Sequence, residues 1–304
     1  VGKFSLAALP TLKAVQRQHV PDIVIAYGGP ETFLLPWLRG SAKTRLVRFR
    51  GHGLGPRGLV ADLKQRFSLR HMDLVLTPSE RLATEMRERR LHGLIHSAIL
   101  GCDTERFFRK AFGVSSTRPE LVIFGRFDPV KGHREFMGLF AKLLRDDPTP
   151  DPKPVLHIVG QPANVTGGEL RLAGEALGLS YGADFRITED RVQDVASLMS
   201  GATVGVVSSL GSEIICRVAE EFLLCGTPMV TSEVGSLKEV FKEESFGTAY
   251  SLAHSDHAVE ILRQWIERSW NESAGEKVAR AQRAMTHFSL ETMGQRLNQL
   301  LSAL

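Results

Sequence analysis

Short apolar runs alternate with longer amphipathic stretches along almost the whole chain. Asp22–Tyr27, Arg45–Arg50 and Asp73–Thr77 read as strands, and helical periodicity fills the intervals near 31–39, 59–70 and 79–91. The pattern resumes with strands at Glu120–Phe124, Val155–Val159, Ala202–Val207 and Pro228–Thr231, separated by helices near 132–145, 168–178, 191–200 and 214–225. Apolar strands, each followed by an amphipathic helix, are what a parallel sheet covered on both faces requires. The pattern therefore predicts an α/β protein with two doubly wound units. Gly101, Asp103, Gly113 and the turn-rich Ser115–Pro119 break the periodicity, so the predicted boundary falls near 101–118. Asp146–Pro154 carries too many prolines for a helix or a central strand and reads as a surface connection. After about residue 254 the pattern is helical to the end, with breaks near Asn271–Gly275 and at Ser289, a predicted N-cap. A doubly wound unit ordinarily opens on a strand and a glycine turn. This chain opens on a helical pattern, and the first unit is expected to lack its opening strands.

The chain has 304 residues, 43% hydrophobic and 24% charged, an ordinary globular balance with room for two cores. Nothing approaches the roughly 18 to 20 apolar residues of a membrane span, and no signal peptide is evident. Cys102, Cys216 and Cys225 form no CxxC pair and read as buried thiols of a reducing, cytoplasmic setting. Net charge is unevenly distributed. Residues 1–110 hold 19 Lys and Arg against 9 Asp and Glu, whereas residues 111–304 hold 19 against 25. The basic half suits an anionic membrane surface or a phosphorylated acceptor, or is simply solvated. No nucleic-acid-binding pattern accompanies it, so nucleic acid is not an expected partner.

Two segments carry the candidate chemistry. Ser208–Pro228 follows an apolar strand and supplies a glycine-containing turn, a helix, and Gly-Thr-Pro into the next strand. Such turns bind anions through free backbone N–H groups and the helix dipole. If Glu213 and Glu221 were both helical they would lie about 12 Å apart along the axis, at 1.5 Å per residue. That separation suits two contacts on one extended ligand and not a dyad sharing a proton. Taken alone, Glu213 is a helix-terminal acid and Glu220-Glu221 a solvated face. The second segment, Phe124–Gly132, places Gly125, Arg126 and Lys131 at another strand end, where the two cations suit a pyrophosphate.

Together these segments resemble the donor site of family 4 GT-B glycosyltransferases. The Gly-Arg-x-x-x-x-Lys-Gly turn lies at 125–132, and the Glu-x7-Glu element followed by Cys-Gly-Thr-Pro lies at 213–228. Supporting matches are Ile158–Gly160, Gly235 with Glu239, and Leu100–Phe107. The resemblance implies two Rossmann-like domains with a cleft between them: a partial acceptor-side domain at 1–110, a donor domain at 119–285, and a C-terminal helix at 286–304 packing toward the first. It implies that Arg126 and Lys131 bind the donor diphosphate, Glu213 the donor sugar and Glu221 the ribose, with Ser212 also among the donor-binding residues and 187–191 near the base. It also implies a retaining hexosyl transfer with no cofactor and no metal, and no Asp-x-Asp element is present. Where the family often has Gly-Phe-Gly after the first Glu, this chain has Ile214-Ile-Cys216. Arg217 follows, as an extra donor contact or a surface charge. His52, in Arg50–Gly55, resembles a histidine found near the sugar in relatives, and a structural role in a glycine-rich turn is the alternative. Arg48, Arg50 and Arg57 flank it as candidates for gripping an acidic acceptor. His254-Ser-Asp-His257 reads as surface, not as a metal site.

The resulting expectation is a glycosyltransferase using a nucleotide-diphosphate sugar and a glycan or glycolipid acceptor, of the lipopolysaccharide or other cell-envelope type, working at the inner membrane face. A nucleotide-sugar epimerase and a non-catalytic nucleotide-sugar-binding relative are the alternatives.

Overall fold

A computed structural model describes residues 6–39, 43–108, 116–146, 150–211 and 213–304. The chain divides into two compact units. The first comprises residues 1–100 and 293–304, and the second 101–292.

In the first unit, α1 (Leu9–His19), β1 (Ile23–Ala26), α2 (Gly29–Leu34), β2 (Arg45–Phe49), α3 (Leu59–Leu69), β3 (Leu74–Thr77), α4 (Glu80–Glu88) and β4 (Ile95–Ser97) succeed one another. The four strands pair in chain order, all parallel. Val47, Phe49, Leu74 and Leu76 form its core together with Leu297, Leu300 and Leu301 near the chain end. These leucines lie on α12 (Leu290–Ser302), whose apolar stripe at spacings of three and four closes that core. The Ser289 hydroxyl accepts from the Thr292 N–H at 3.0 Å and caps α12.

The second unit contains α5 (Thr104–Phe108), β5 (Glu120–Phe124), α6 (His133–Arg145), β6 (Val155–Val159), α7 (Gly167–Ala176), β7 (Phe185–Thr188), α8 (Val195–Gly201), β8 (Val204–Val207), α9 (Arg217–Leu224), β9 (Met229–Ser232), β10 (Gly247–Tyr250), α10 (Ser255–Trp270) and α11 (Ala274–Phe288). Its six parallel strands run in the order β10-β9-β8-β5-β6-β7. The order reverses between β5 and β8, and in such sheets ligands bind beyond the carboxyl ends of the strands at that point. Leu121, Ile123, Leu156, Ile158, Val204 and Val206 face the apolar sides of α6 and α10 in one core. Each fully buried aliphatic side chain on this face contributes about 1.5 to 3 kcal/mol.

Three strands escape the sequence pattern: β4, β7 and β10. Each has three or four residues and is incompletely buried, so none shows a continuous apolar run. All three cysteines are buried thiols. His254 through His257 are exposed. No helix among the described residues is long and apolar enough to cross a membrane.

Candidate donor site in the second unit

The site is built from loops at the carboxyl ends of β5, β6, β8 and β9. After β5, Phe127 is buried and tied down by its backbone, donating to Gln161 O at 2.9 Å and accepting from Val165 N at 3.0 Å. Asp128 then caps a short 3-10 turn over Pro129–Lys131, accepting from Val130 N at 3.0 Å and from Asn164 Nδ2 at 2.6 Å. Those two donors hold its carboxyl below the usual range. Gly132 leaves the turn at φ 65° and starts α6.

Three glycines let these loops touch through their backbones. A Cβ on Gly160 would lie 1.8 Å from Gly125 O, one on Gly132 2.0 Å from Ser208 O, and one on Gly235 1.9 Å from Glu213 O. Gly132 and Gly235 also have positive φ. The Ser208 hydroxyl donates to Lys131 O at 2.8 Å, and Leu210 N donates to Val130 O at 2.7 Å. The turn bearing Arg126 and Lys131 is thereby fastened to the loop bearing Glu213.

Glu213 is only 7% exposed. Its Oε1 accepts from Ser209 Oγ at 2.5 Å and pairs with Lys131 Nζ. Ser209 carries no distinctive spacing, and only its place two residues beyond a buried strand end hints at a role. Glu213 precedes α9 rather than lying in it, because the helix begins at Arg217 with Cys216 as N-cap. The separation expected for two helical acids therefore does not apply, and neither does a helix-terminal reading of Glu213. Glu221 lies within α9, half-buried, and burial pushes its carboxyl up against the opposing pull of Arg217 and Arg106. Its neighbour Glu220 is not the solvated acid expected. It is 4% exposed, accepts from the Cys102 thiol at 3.3 Å, and is pushed up to about 8, chiefly by burial.

A cavity of about 410 Å³ opens among these loops, lined by Gly125, Arg126, Lys131, His133, Glu213 and Arg217 among others. A second, of about 290 Å³, is lined by Arg106, Gly160, Gln161, Asp190 and Arg191. The two share Phe124, Gly125 and Arg126. Arg126 is exposed and has no hydrogen bond or ion pair with a described residue. The donor-site candidates Gly125, Arg126, Lys131 and Glu213 thus meet at one cavity, with Glu221 on the adjoining helix. Ser212 lies outside the described residues. No group of three or more potential metal ligands occurs among the described residues.

The acceptor-side candidates lie in the first unit. His52 is exposed in the loop after β2. Arg48 is buried and donates to Ala26 O at 3.1 Å. Arg50 is folded onto its own loop, donating to the carbonyls of His52 and Gly53, each at 3.1 Å. Arg57 pairs with Glu88 at 2.9 Å. Among the described residues the three arginines are each engaged separately and form no open cationic cluster: Arg48 is buried within β2, Arg50 folds onto its own loop, and Arg57 lies beside α4.

Two parallel α/β units, with anion-suited cavities at a strand-order reversal, define the GT-B class of glycosyltransferase fold. The chain belongs to the family described as Glycosyl transferases group 1, which matches residues 104–284. Among solved structures it resembles HepE from Anabaena in complex with UDP-glucose, with 20% identity, a TM-score of 0.72, and coverage of 100% of this chain and 85% of that one. It also resembles the lipopolysaccharide outer core galactosyltransferase WaaB, at 16% identity and a TM-score of 0.70 over 97% of this chain and 79% of that one. These likenesses show the fold. A curated relative, the D-inositol 3-phosphate glycosyltransferase of Geodermatophilus obscurus, is 31% identical over 153 residues, 47% of this chain and 34% of the relative. The match thus spans about a third of that relative's length.

Proposed function

We propose that this chain transfers a hexosyl group from a nucleoside-diphosphate sugar to an acceptor hydroxyl. One observation carries the proposal: two adjoining cavities share Arg126, a guanidinium with no ion pair or hydrogen bond to a described residue. An extended ligand with an anionic centre fits that arrangement. Its diphosphate meets Arg126, its sugar enters the larger cavity toward Glu213, and its ribose and base occupy the smaller one, with Glu221 as the ribose contact. In the transfer, the bond from the anomeric carbon to the β-phosphate oxygen breaks, and its electron pair leaves with the diphosphate. The acceptor oxygen bonds to the anomeric carbon and its proton passes to the departing phosphate. Resemblance to the family 4 donor site supports retention of configuration. Fixed cations and the first-turn N–H groups of α9 supply electrostatic stabilisation that needs no metal.

For the acceptor we favour a phosphorylated glycan or glycolipid of the cell envelope, met at an anionic membrane face. The basic character of residues 1–110 supports this. So does α3, which leaves Leu59, Val60, Leu63 and Phe67 exposed on one side and carries Lys64 and Arg66. The names of the relatives, with inositol phosphate and lipopolysaccharide core, are consistent with it.

Thermal-shift screening against UDP-, GDP-, ADP- and CDP-hexoses tests the donor reading, since a ligand bound to the native state raises its melting temperature. Stabilisation by one base, lost in both Arg126→Ala and Glu221→Ala, is expected. A full shift retained in both variants would overturn the assignment. Incubating that donor without acceptor should leave it intact or slowly hydrolysed, whereas conversion to another sugar would mark an epimerase.

A further inference from the structure

A helix that faces water ordinarily presents polar residues to it, and α3 does the reverse. Leu59, Val60, Leu63 and Phe67 are each between 51% and 76% exposed. At about 100° per residue, these four span an arc of about 100° around the helix. Arg66 and Lys64, both exposed, stand just outside its two margins. The only acid of α3, Asp62, is half-buried and paired with Arg89. Arg70, which follows the helix, lies with its guanidinium 3.6 Å from the centre of the Phe67 ring. An apolar arc bordered by cations, whose alkyl stems follow it while their charges stay in water, is what a helix lying in a membrane surface requires. A second copy of the chain fits poorly, because a two-fold contact between like faces would set the same cations against one another. An anionic leaflet satisfies both the arc and its charged border.

The same helix is fastened to an acceptor-side loop. Residues 51–58 connect β2 to α3 and carry the exposed His52. Buried Arg89, just beyond α4, donates through Nη1 to Gly55 O at 3.0 Å and through Nη2 to Pro56 O at 3.4 Å. Its Nε donates to Asp62 at 2.9 Å. One side chain thus ties both the helix and the loop to the end of α4. We propose that α3 docks in the plane of an anionic leaflet, with Leu59, Val60, Leu63 and Phe67 among the acyl chains, and that Arg89 passes the restraint of docking to the His52 loop. The proposal rests on the membrane-face acceptor reading above and names the element that makes the contact. Docking then steadies the loop beside the surface from which a glycolipid headgroup rises.

Co-sedimentation of the full chain with phosphatidylcholine vesicles, with and without phosphatidylglycerol, tests the docking. Binding should require the anionic lipid and weaken with salt. Leu63→Ser/Phe67→Ser should weaken it at least about tenfold, and so should Lys64→Glu/Arg70→Glu. Both pairs are exposed, so the melting temperature should hold. Hydrogen exchange tests the coupling. Vesicles should slow exchange in 51–58 as well as 59–67 of the wild type, but only in 59–67 of Arg89→Met/Asp62→Asn, which removes both partners of the buried pair. Equal binding to the two kinds of vesicle, undiminished binding in Leu63→Ser/Phe67→Ser, or a dimer in solution that this variant dissociates would overturn the docking. Unchanged exchange in 51–58 of the vesicle-bound wild type would overturn the coupling. None of these results touches the donor reading, which thermal shift with nucleotide sugars tests without lipid.

Discussion

Glu220 occupies the first turn of α9 with 4% of its surface exposed and one side-chain partner, the Cys102 thiol. A helix N-terminus favours an acid there, but desolvation outweighs that and lifts its pKa from 4.5 to about 8. The folded state therefore binds the Glu220 proton more tightly than the unfolded state does. Below 4.5 both states are protonated and the group contributes nothing. Between 4.5 and 8 the unfolded chain is ionised and the folded one is not, so stability falls by about 1.4 kcal/mol per pH unit. Above 8 the cost is constant. The accumulated penalty is about 3 kcal/mol at pH 7 and about 5 kcal/mol at pH 9. Glu220→Gln keeps the shape and the acceptor for Cys102 and has no charge to lose. It should match the wild type at pH 4 and melt progressively higher above it. At pH 7 the difference should reach about 6 to 12 °C for a unit of this size. Thermal unfolding of both proteins at unit steps from pH 4 to 9 reads this directly. Parallel melting curves across that range would refute the assignment of a buried, neutral carboxyl.

Three further outcomes follow from the same geometry. Gly235→Ala, at φ 63° with its new Cβ 1.9 Å from Glu213 O, should lower stability by at least about 2 kcal/mol and weaken donor binding; Gly125→Ala, with nothing within 4 Å, should change stability by less than about 0.5 kcal/mol. Arg280, 1% exposed, donates to Gly226 O, Ser245 O and Glu272, so Arg280→Met should cost about 3 to 5 kcal/mol in denaturant unfolding, whereas Arg280→Met/Glu272→Gln should cost much less. Glu213→Gln should lower kcat/KM for transfer at least about tenfold in steady-state assays while leaving nucleoside diphosphate affinity nearly unchanged; equal losses in both would remove Glu213 from the sugar.

The sequence pattern reveals the second unit more fully than its chemistry. Strands β5, β6, β8 and β9 are buried throughout or nearly so, and burial on both faces writes a continuous apolar run that periodicity detects. The edge strands β7 and β10 are half-solvated and interrupted by polar residues, so no run marks them. Spacing likewise identifies Arg126, Lys131, Glu213 and Glu221, because turns at strand ends converge at the carboxyl edge of a parallel sheet. Which cation is free and which is spent is a different kind of information. The Lys131–Glu213 pair joins residues 82 positions apart, and the Cys102–Glu220 contact joins residues 118 apart. Neither is encoded in local spacing: the fold pairs Lys131 with Glu213, and it buries Glu220, which local spacing suggests is a solvated helix-face acid. His133 sits next to a recognised motif residue, yet only its burial distinguishes it from a surface histidine at the start of a helix. In the first unit the charge imbalance is legible, but its use is not, because Arg48, Arg50 and Arg57 look alike in sequence and are engaged by different groups in the fold. Motif spacing therefore points to Arg126, Lys131 and Glu213, which line one cavity, while the burial and pairing of each depend on contacts made only after the sheet has assembled.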